Sequence, residues 1–146
     1  MADWRSHLLD ADDDITTLLE RVSSIAVLGI KPAETRAPAF YVPEYAQRAG
    51  FRVIPVPVYY PDLREILGER TMRTINEIGE RVDLVNVFRR PQDIAAHLDD
   101  LLAARPRAVW FQLGIRNDAA AETLARAGID VVQDRCLLVE LQNRGR

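Results

Sequence analysis

The feature that most constrains this fold is an alternation of short apolar segments with segments of helical spacing. The first apolar segment, Ser24 to Leu28, is uninterrupted and stops at Gly29, which is typical of a strand covered on both faces. Four more strands are predicted over residues 52–58, 82–88, 108–113 and 129–133. Strands that alternate with helices need crossover connections, so the sequence predicts a parallel sheet with helices on both faces.

The intervening segments carry the start and stop signals of helices. Pro91 favours a helix start, whereas Gly50 and Gly128 favour helix ends. Helices are predicted over residues 40–49, 91–104, 117–127 and from residue 137 onward. Pro43 fits the first of these helices only within its first turn, because a proline deeper in a helix removes a backbone hydrogen bond.

Residues 59–81 lack this regular pattern and are predicted to form a long, partly helical cover segment. The spacing of Leu63, Ile66 and Leu67 suggests one helical turn, and a second is predicted near Ile75. The segment is long enough to cover one side of the sheet.

Residues 1–22 precede the first strand, with helical spacing interrupted by an acidic run from Asp10 to Asp14. We predict two helical pieces, with the last three carboxylates of the run at the start of the second, where they favour the helix macrodipole. A cation site is the alternative interpretation. The whole chain, residues 1–146, is predicted to form one α/β domain with a Rossmann-like three-layer fold and a five-stranded parallel sheet. Pro55 and Pro57 cannot donate ladder hydrogen bonds, so either the second strand lies near an edge or its ladder ends early.

Charge and composition argue against several classes of function. The net charge of −3 is unfavourable for binding nucleic acid, since contacts with the phosphate backbone need a basic face. No apolar run approaches the roughly 20 residues of a membrane-spanning helix, and the N-terminus lacks a signal-peptide pattern, so we expect a cytoplasmic protein without a membrane segment. His7 and His97 lie far apart and Cys136 is the only cysteine, so neither a metal site nor an internal disulfide is predicted.

In open parallel sheets the ligand lies beyond the carboxyl ends of the strands, where the strand order reverses. The loop after the first strand, residues 29–38, offers Gly29 for a tight turn and then Lys31 and Arg36 as cations for a phosphate. Only the first glycine of the G-x-G-x-x-G dinucleotide pattern is present, and no acidic residue ends the second strand to bind a ribose. A tight strand-to-helix turn without a ligand stays open as the alternative.

Later loops hold the other candidates. Arg89 or Arg90 could bind a phosphate, or one of them could only cap a strand end or pair with Asp93. Cys136 is the one candidate nucleophile. No histidine is near it in sequence, and a partly buried structural thiol is the interpretation that we favour, because free cysteines are commonly buried and inert.

Five sequence blocks occur in an order and at intervals typical of one family. They are VLGIKP with RAPA at 27–32 and 36–39, GFRVIPV at 50–56, VDLVNVFR at 82–89, WFQLGI at 110–115 and DRC at 134–136. Over residues 25–140 the chain resembles the small stand-alone CoA-binding proteins, whose fold is similar to the coenzyme A (CoA)-binding domain of succinyl-CoA synthetase alpha subunits. The resemblance implies that CoA lies across the carboxyl ends of the strands, with its pyrophosphate against the first loop.

The resemblance also implies two groups of contact residues. The phosphates would contact Gly29, Ile30, Lys31, Arg36, Ala37 and Pro38. The nucleotide and the pantetheine arm would lie beside Val56, Pro57, Phe88 and Arg89.

The sequence favours a protein that holds CoA or an acyl-CoA without turnover of its own, because the predicted site offers a phosphate loop but no acid–base pair. Two alternatives stay open: an NAD(P)- or thiol-dependent enzyme that uses the same crevice, and a regulatory subunit of a partner protein. A homodimer also stays open, whereas nucleic acid and membrane are not expected as partners.

Overall fold

The computed structural model of this protein describes residues 3–146. In that range the strands are β1 (Ser24–Leu28), β2 (Arg52–Val56), β3 (Glu65–Ile66), β4 (Glu69–Arg70), β5 (Leu84–Val87), β6 (Ala108–Phe111) and β7 (Asp130–Val132). The α-helices are α1 (Asp12–Glu20), α2 (Pro38–Arg48), α3 (Leu98–Ala104), α4 (Asp118–Arg126) and α5 (Leu137–Asn143). Short 3-10 helices cover Trp4–His7, Ala33–Thr35, Asn76–Ile78 and Pro91–His97.

One parallel sheet in the order β2-β1-β5-β6-β7 forms the middle layer, which confirms the predicted fold class. The helices α1, α2 and α5 pack on one face, and α3 and α4 pack on the other. Trp110 and Phe111 are adjacent on β6 and enter the cores on opposite faces, as successive strand residues must. Both side chains are fully buried, so neither core is open to solvent at this strand.

The proline-containing strand β2 lies at one edge of the sheet, as its sequence predicts. It ends at Val56, two residues before the predicted end, and Pro57 lies outside the ladder. On its outer side the carbonyl of Pro55 accepts a hydrogen bond from the Met72 backbone N–H, so the following segment covers this edge.

The prediction for α2 was wrong in two respects. The helix begins at Pro38 rather than Phe40, because proline is pre-organised for the first helical position. Pro43 therefore lies inside the helix, where its missing N–H leaves the Ala39 carbonyl without its intrahelical partner. That carbonyl accepts instead the backbone N–H of Lys31 at 3.2 Å, which ties the loop after β1 to the helix.

The helical turn predicted around Leu63, Ile66 and Leu67 is also wrong. The chain forms a hairpin of β3 and β4, connected by Leu67 and Gly68 with φ of 58° and 76°. Two successive positive φ values are typical of the two-residue hairpin turn, and leucine seldom adopts the first of them. The second predicted turn corresponds to the 3-10 helix Asn76–Ile78.

The N-terminal segment forms two helical pieces, as predicted, and the acidic run begins the second. Between them Leu8 pairs in parallel with Val131, and the Leu9 N–H donates to the Val131 carbonyl at 2.9 Å. The segment therefore covers the edge of the sheet at β7. Within residues 3–146, no helix has the length and apolar character needed to cross a bilayer.

Candidate functional site

The order of the sheet places the strand-order reversal between β1 and β5, because the chain continues from β1 to β2 on one side and returns to β5 on the other. The carboxyl ends of these two strands are where an open parallel sheet binds its ligand. The loop 29–38 follows β1, and Phe88 with Arg89 follows β5. The predicted loops therefore meet at one crevice.

Gly29 is the point of closest contact between these two loops. Its φ is +89°, and a Cβ added there would lie 2.4 Å from the Phe88 carbonyl oxygen and 3.3 Å from Cδ of Arg89. The Gly29 N–H donates to the Val56 carbonyl at 2.9 Å, while the Phe88 N–H donates to the Leu28 carbonyl at 2.8 Å. Only glycine combines this backbone conformation with this contact.

The first loop is folded on itself before α2 begins. The Thr35 hydroxyl donates to the Pro32 carbonyl at 2.7 Å and accepts the Ala37 N–H at 3.3 Å. Arg36 ends the 3-10 helix with a left-handed φ of 53°, and Ala37 precedes Pro38 at the start of α2. These contacts, together with the Lys31–Ala39 hydrogen bond, make the loop a defined structure without a ligand.

The loop nevertheless keeps donors that the protein does not use. Within residues 3–146, Lys31 and Arg36 form no ion pair with a carboxylate. In the same range, the backbone N–H groups of Ile30, Ala33 and Ala39 have no protein acceptor. Unpaired cations and free amides before a helix favour an anion, so the loop has the donor set that a pyrophosphate needs.

Three of the predicted site residues lie within the protein. The side chain of Ile30 packs in the core on the α2 face, and Val56 packs in the core on the opposite face. Pro57 is buried directly after β2. Ile30 can offer a ligand only its backbone, while Val56 supports the loop through its hydrogen bond with Gly29.

Phe88 and Arg89 line a pocket of ≈ 160 Å³ together with the first loop and the start of the segment after β2. Its walls are Gly29, Ile30, Lys31, Val58, Tyr59, Phe88, Arg89 and Arg90. The Arg89 side chain is only 14% exposed, and its guanidinium carbon lies 5.4 Å from the centre of the Tyr59 ring. The exposed Arg90 pairs with Asp93 at 2.7 Å, which is the ion pair that the sequence offered as the alternative to phosphate binding. Of the two arginines, Arg89 is therefore the one held inside the crevice.

His97 is the residue of this site that the sequence does not reveal. The 3-10 helix that follows Pro91 brings its ring back to the crevice, where Nε2 accepts a hydrogen bond from Arg89 Nε at 3.1 Å. Burial, and next the charge of Arg89, lower the pKa of His97, although Asp100 and Asp93 act in the opposite direction. Its neutral ring thus orients Arg89 without neutralising its charge. His97 ends a 3-10 helix rather than lying in a loop after a strand, so its sequence position did not point to the site.

Tyr59 is a second residue that the sequence leaves unassigned. It lies in the loop after β2, and its hydroxyl oxygen is 3.4 Å from Nη1 of Arg89. Its position in that loop and its exposed aromatic ring are the signals that could have identified it.

The thiol of Cys136 lies away from these residues, at the carboxyl ends of β6 and β7. It is half-buried and packs against the core. It borders a second pocket of ≈ 380 Å³, whose lining includes Asp134, Arg135 and Glu140 but no histidine. The structure therefore brings no general base to the thiol among the residues that line this pocket.

This geometry, a glycine turn joined to a pocket with one oriented arginine, agrees with a match to a known sequence family. Residues 23–142 match the family described as the CoA binding domain. The chain belongs to the CoA-binding domain family. The match spans all five strands of the parallel sheet and every loop of the candidate site.

Relatives of this CoA-binding domain have the same size and fold. The uncharacterized protein YneT of Bacillus subtilis (strain 168) is 32% identical over 126 residues, which are 86% of this chain and 90% of that protein. The solved structure of cell-free ID.343 from Thermus thermophilus is 39% identical with a TM-score of 0.84, and the match covers 92% of this chain and 98% of that one. A hypothetical protein from Pyrococcus horikoshii OT3 is 28% identical with a TM-score of 0.83, covering 92% of both chains.

Proposed function

We propose that this CoA-binding domain holds CoA or an acyl-CoA across the carboxyl ends of β1, β2 and β5. The pyrophosphate would lie against residues 29–38, and the nucleotide and pantetheine arm would lie beside Pro57, Phe88 and Arg89. The observation that carries the proposal is the pair of unpaired cations, Lys31 and Arg36, in a loop that Gly29 holds against the end of β5.

The residues present fit the chemistry of this ligand. A pyrophosphate needs several donors at once, and the loop provides two cationic side chains and free backbone amides. Arg89 adds a guanidinium whose nearest polar partners, His97 and Tyr59, carry no negative charge. The Tyr59 ring is exposed beside it and offers a surface on which a nucleobase can stack.

Binding without turnover is supported by the hydrogen bonds of the titratable side chains near the crevice. General acid–base catalysis needs a titratable group within hydrogen-bond reach of the reacting atoms. His97 is occupied by Arg89, and Asp93 is occupied by Arg90. The site therefore resembles a holder of the nucleotide more than a catalytic centre.

The experiment is thermal unfolding of the purified protein with CoA, acetyl-CoA, NAD and ADP. A ligand that binds only the folded state adds about 2.7 kcal/mol at a hundredfold excess over its Kd, so CoA and acetyl-CoA should raise the Tm. The Lys31→Ala, Arg36→Ala double variant should lose this rise and keep its unliganded stability within about 0.5 kcal/mol, because neither side chain has an ion pair or a hydrogen bond to lose among residues 3–146.

The matched control is the Arg21→Ala, Arg81→Ala double variant, which removes two exposed cations at the amino-terminal edge of the sheet. It should keep the rise. A rise with NAD alone would favour the dinucleotide alternative. No rise with any ligand, or release of free CoA from acetyl-CoA that is lost in the Lys31 and Arg36 variant, would contradict the proposal.

A further inference from the structure

A second, basic pocket lies next to the candidate site on the other side of the segment 59–61. Its volume is ≈ 360 Å³, and its walls are Pro61, Arg64, Arg70, Thr71, Arg73 and Glu77. Tyr59 lines the first pocket and Pro61 lines this one, so a single short segment of chain separates them. The concentration of three arginines stands out in a chain with a net charge of −3.

One of the three arginines has a structural role. Nη2 of Arg73 donates to the backbone carbonyls of Tyr60, Pro61 and Leu63 at 2.9–3.0 Å. The backbone N–H of Arg73 donates to the Glu77 carboxylate at 3.0 Å. These contacts fix the segment that separates the two pockets, and they use both Arg73 and the single carboxylate that lines this pocket.

Arg64 and Arg70 have no such role. Within residues 3–146, neither forms an ion pair or a side-chain hydrogen bond. Glu65 lies opposite Arg70 in the β3–β4 register but does not pair with it at ion-pair distance. The hairpin holds their backbones in place, because Thr71 donates to the Arg64 carbonyl at 3.0 Å and to the Leu63 carbonyl at 2.8 Å. Two uncompensated guanidinium groups on a fixed backbone are suited to a dianionic phosphate.

We propose that Arg64 and Arg70 form the subsite for the 3′-phosphate of CoA. The inference rests on the proposed function. The adenosine of CoA carries a phosphate on its ribose 3′ oxygen, which the adenosine of NAD and of ADP lacks. If the adenosine end lies near Tyr59, the ribose is next to the segment 59–61, and its 3′-phosphate can reach the basic pocket beyond it. This subsite would select CoA over dinucleotides in a fold that accepts either.

The test compares CoA with 3′-dephospho-CoA, which lacks only this phosphate, by isothermal titration calorimetry. Wild-type protein should bind CoA at least about tenfold more tightly, since charge-assisted hydrogen bonds contribute more than neutral ones. The Arg64→Ala, Arg70→Ala double variant should bind both ligands with the affinity that wild-type protein has for 3′-dephospho-CoA. The Arg21→Ala, Arg81→Ala variant controls for the lost charge and should keep the preference.

The outcomes separate the two proposals. Unchanged binding of 3′-dephospho-CoA shows that the Arg64 and Arg70 variant is folded and that the first loop still functions. Equal affinities of wild-type protein for the two ligands would overturn the subsite, and so would a preference that survives the double substitution. If wild-type protein binds neither ligand, the proposed function itself is wrong.

Discussion

The loop after β1 and the C-terminal helix α5 use cationic side chains in opposite ways. Arg135 and Arg144 both contact the Glu140 carboxylate, at 3.3 and 3.0 Å, and also reach the N-terminal segment. Lys31 and Arg36 have no carboxylate partner within residues 3–146. A paired cation joins parts of the fold, whereas an unpaired cation remains available to an anion.

Arg89 lies between these two extremes. It is only 3.9 Å from the Asp93 carboxylate, but its shorter contacts are with the His97 ring and the Tyr59 hydroxyl. Asp93 is in turn engaged by Arg90 at 2.7 Å, and that contact contributes most to the lowered pKa of Asp93. Arg89 is therefore oriented mainly by uncharged groups, which leaves most of its charge available to an anion.

The largest expected effect comes from Gly29→Ala, which tests the loop after β1. The substitution forces a side chain into a left-handed conformation and places its Cβ 2.4 Å from the Phe88 oxygen. We expect a loss of about 3 kcal/mol in the free energy of unfolding, measured by urea denaturation, together with loss of the CoA-dependent rise in Tm.

Gly128→Ala is the matched control for this variant. Gly128 has a similar φ of +82°, but an added Cβ meets nothing within 4 Å, so the cost should be about 1 kcal/mol. Equal losses in the two variants would show that the contact with Phe88 has no energetic role.

Glu140→Gln tests the ion pairs that Arg135 and Arg144 form at α5. The Glu140 side chain is only 12% exposed, and its loss of charge leaves Arg135 and Arg144 with only the exposed carboxylates of Asp10 and Asp12. We expect a loss of about 2 kcal/mol by urea denaturation, because unpairing a largely buried ion pair costs far more than unpairing an exposed one. CoA affinity, measured by calorimetry, should not change.

The control for Glu140→Gln is Glu122→Gln, which removes the partner of Arg126 in an exposed pair of the same i,i+4 spacing on α4. That pair should contribute no more than about 0.5 kcal/mol. If both variants lose stability equally, or if Glu140→Gln weakens CoA binding, the division between structural and ligand-binding cations fails.

Much of this architecture could be predicted because its strands are buried on both faces. A continuous apolar segment such as Ser24–Leu28 is recognisable without its neighbours, and β1 has the predicted bounds. The β3–β4 hairpin could not be found this way, since Leu67 is an unusual residue for its turn. The start of α2 was misplaced because the donor that Pro43 lacks is replaced by the backbone N–H of Lys31, a residue outside the helix.

The candidate site likewise contains residues that the sequence could suggest and residues that depend on tertiary packing. Gly29, Lys31 and Arg36 could be proposed from their position after a strand, because the fold determines where that loop must lie. The contacts of Arg89 with Tyr59 and His97 depend on how the cover segment and a 3-10 helix pack, and no local pattern encodes that packing. The sequence could therefore suggest candidate phosphate-binding cations but not the residues that orient Arg89.

The smallest expected effect is a change in the pH dependence of stability in His97→Gln, which tests how Arg89 is held. The pKa of His97 is lowered in the folded protein, so below its ordinary value of 6.5 the unfolded chain binds the proton more readily. His97 therefore makes no pH-dependent contribution above that value, and it costs stability as the pH falls towards its folded pKa. Measured against pH by urea denaturation, wild-type protein should lose stability below pH 6.5 more steeply than His97→Gln, whose carbonyl oxygen can still accept the Arg89 hydrogen bond.

The difference between the two proteins isolates His97, because every other side chain is the same in both. CoA binding should weaken over the same range in wild-type protein and less in His97→Gln, since a protonated ring can no longer accept from Arg89 and repels it. Parallel pH profiles for the two proteins would show that His97 does not orient Arg89 as a neutral acceptor. Arg89 would then belong with the structural cations, held by Asp93, and the phosphate contacts would rest on the first loop alone.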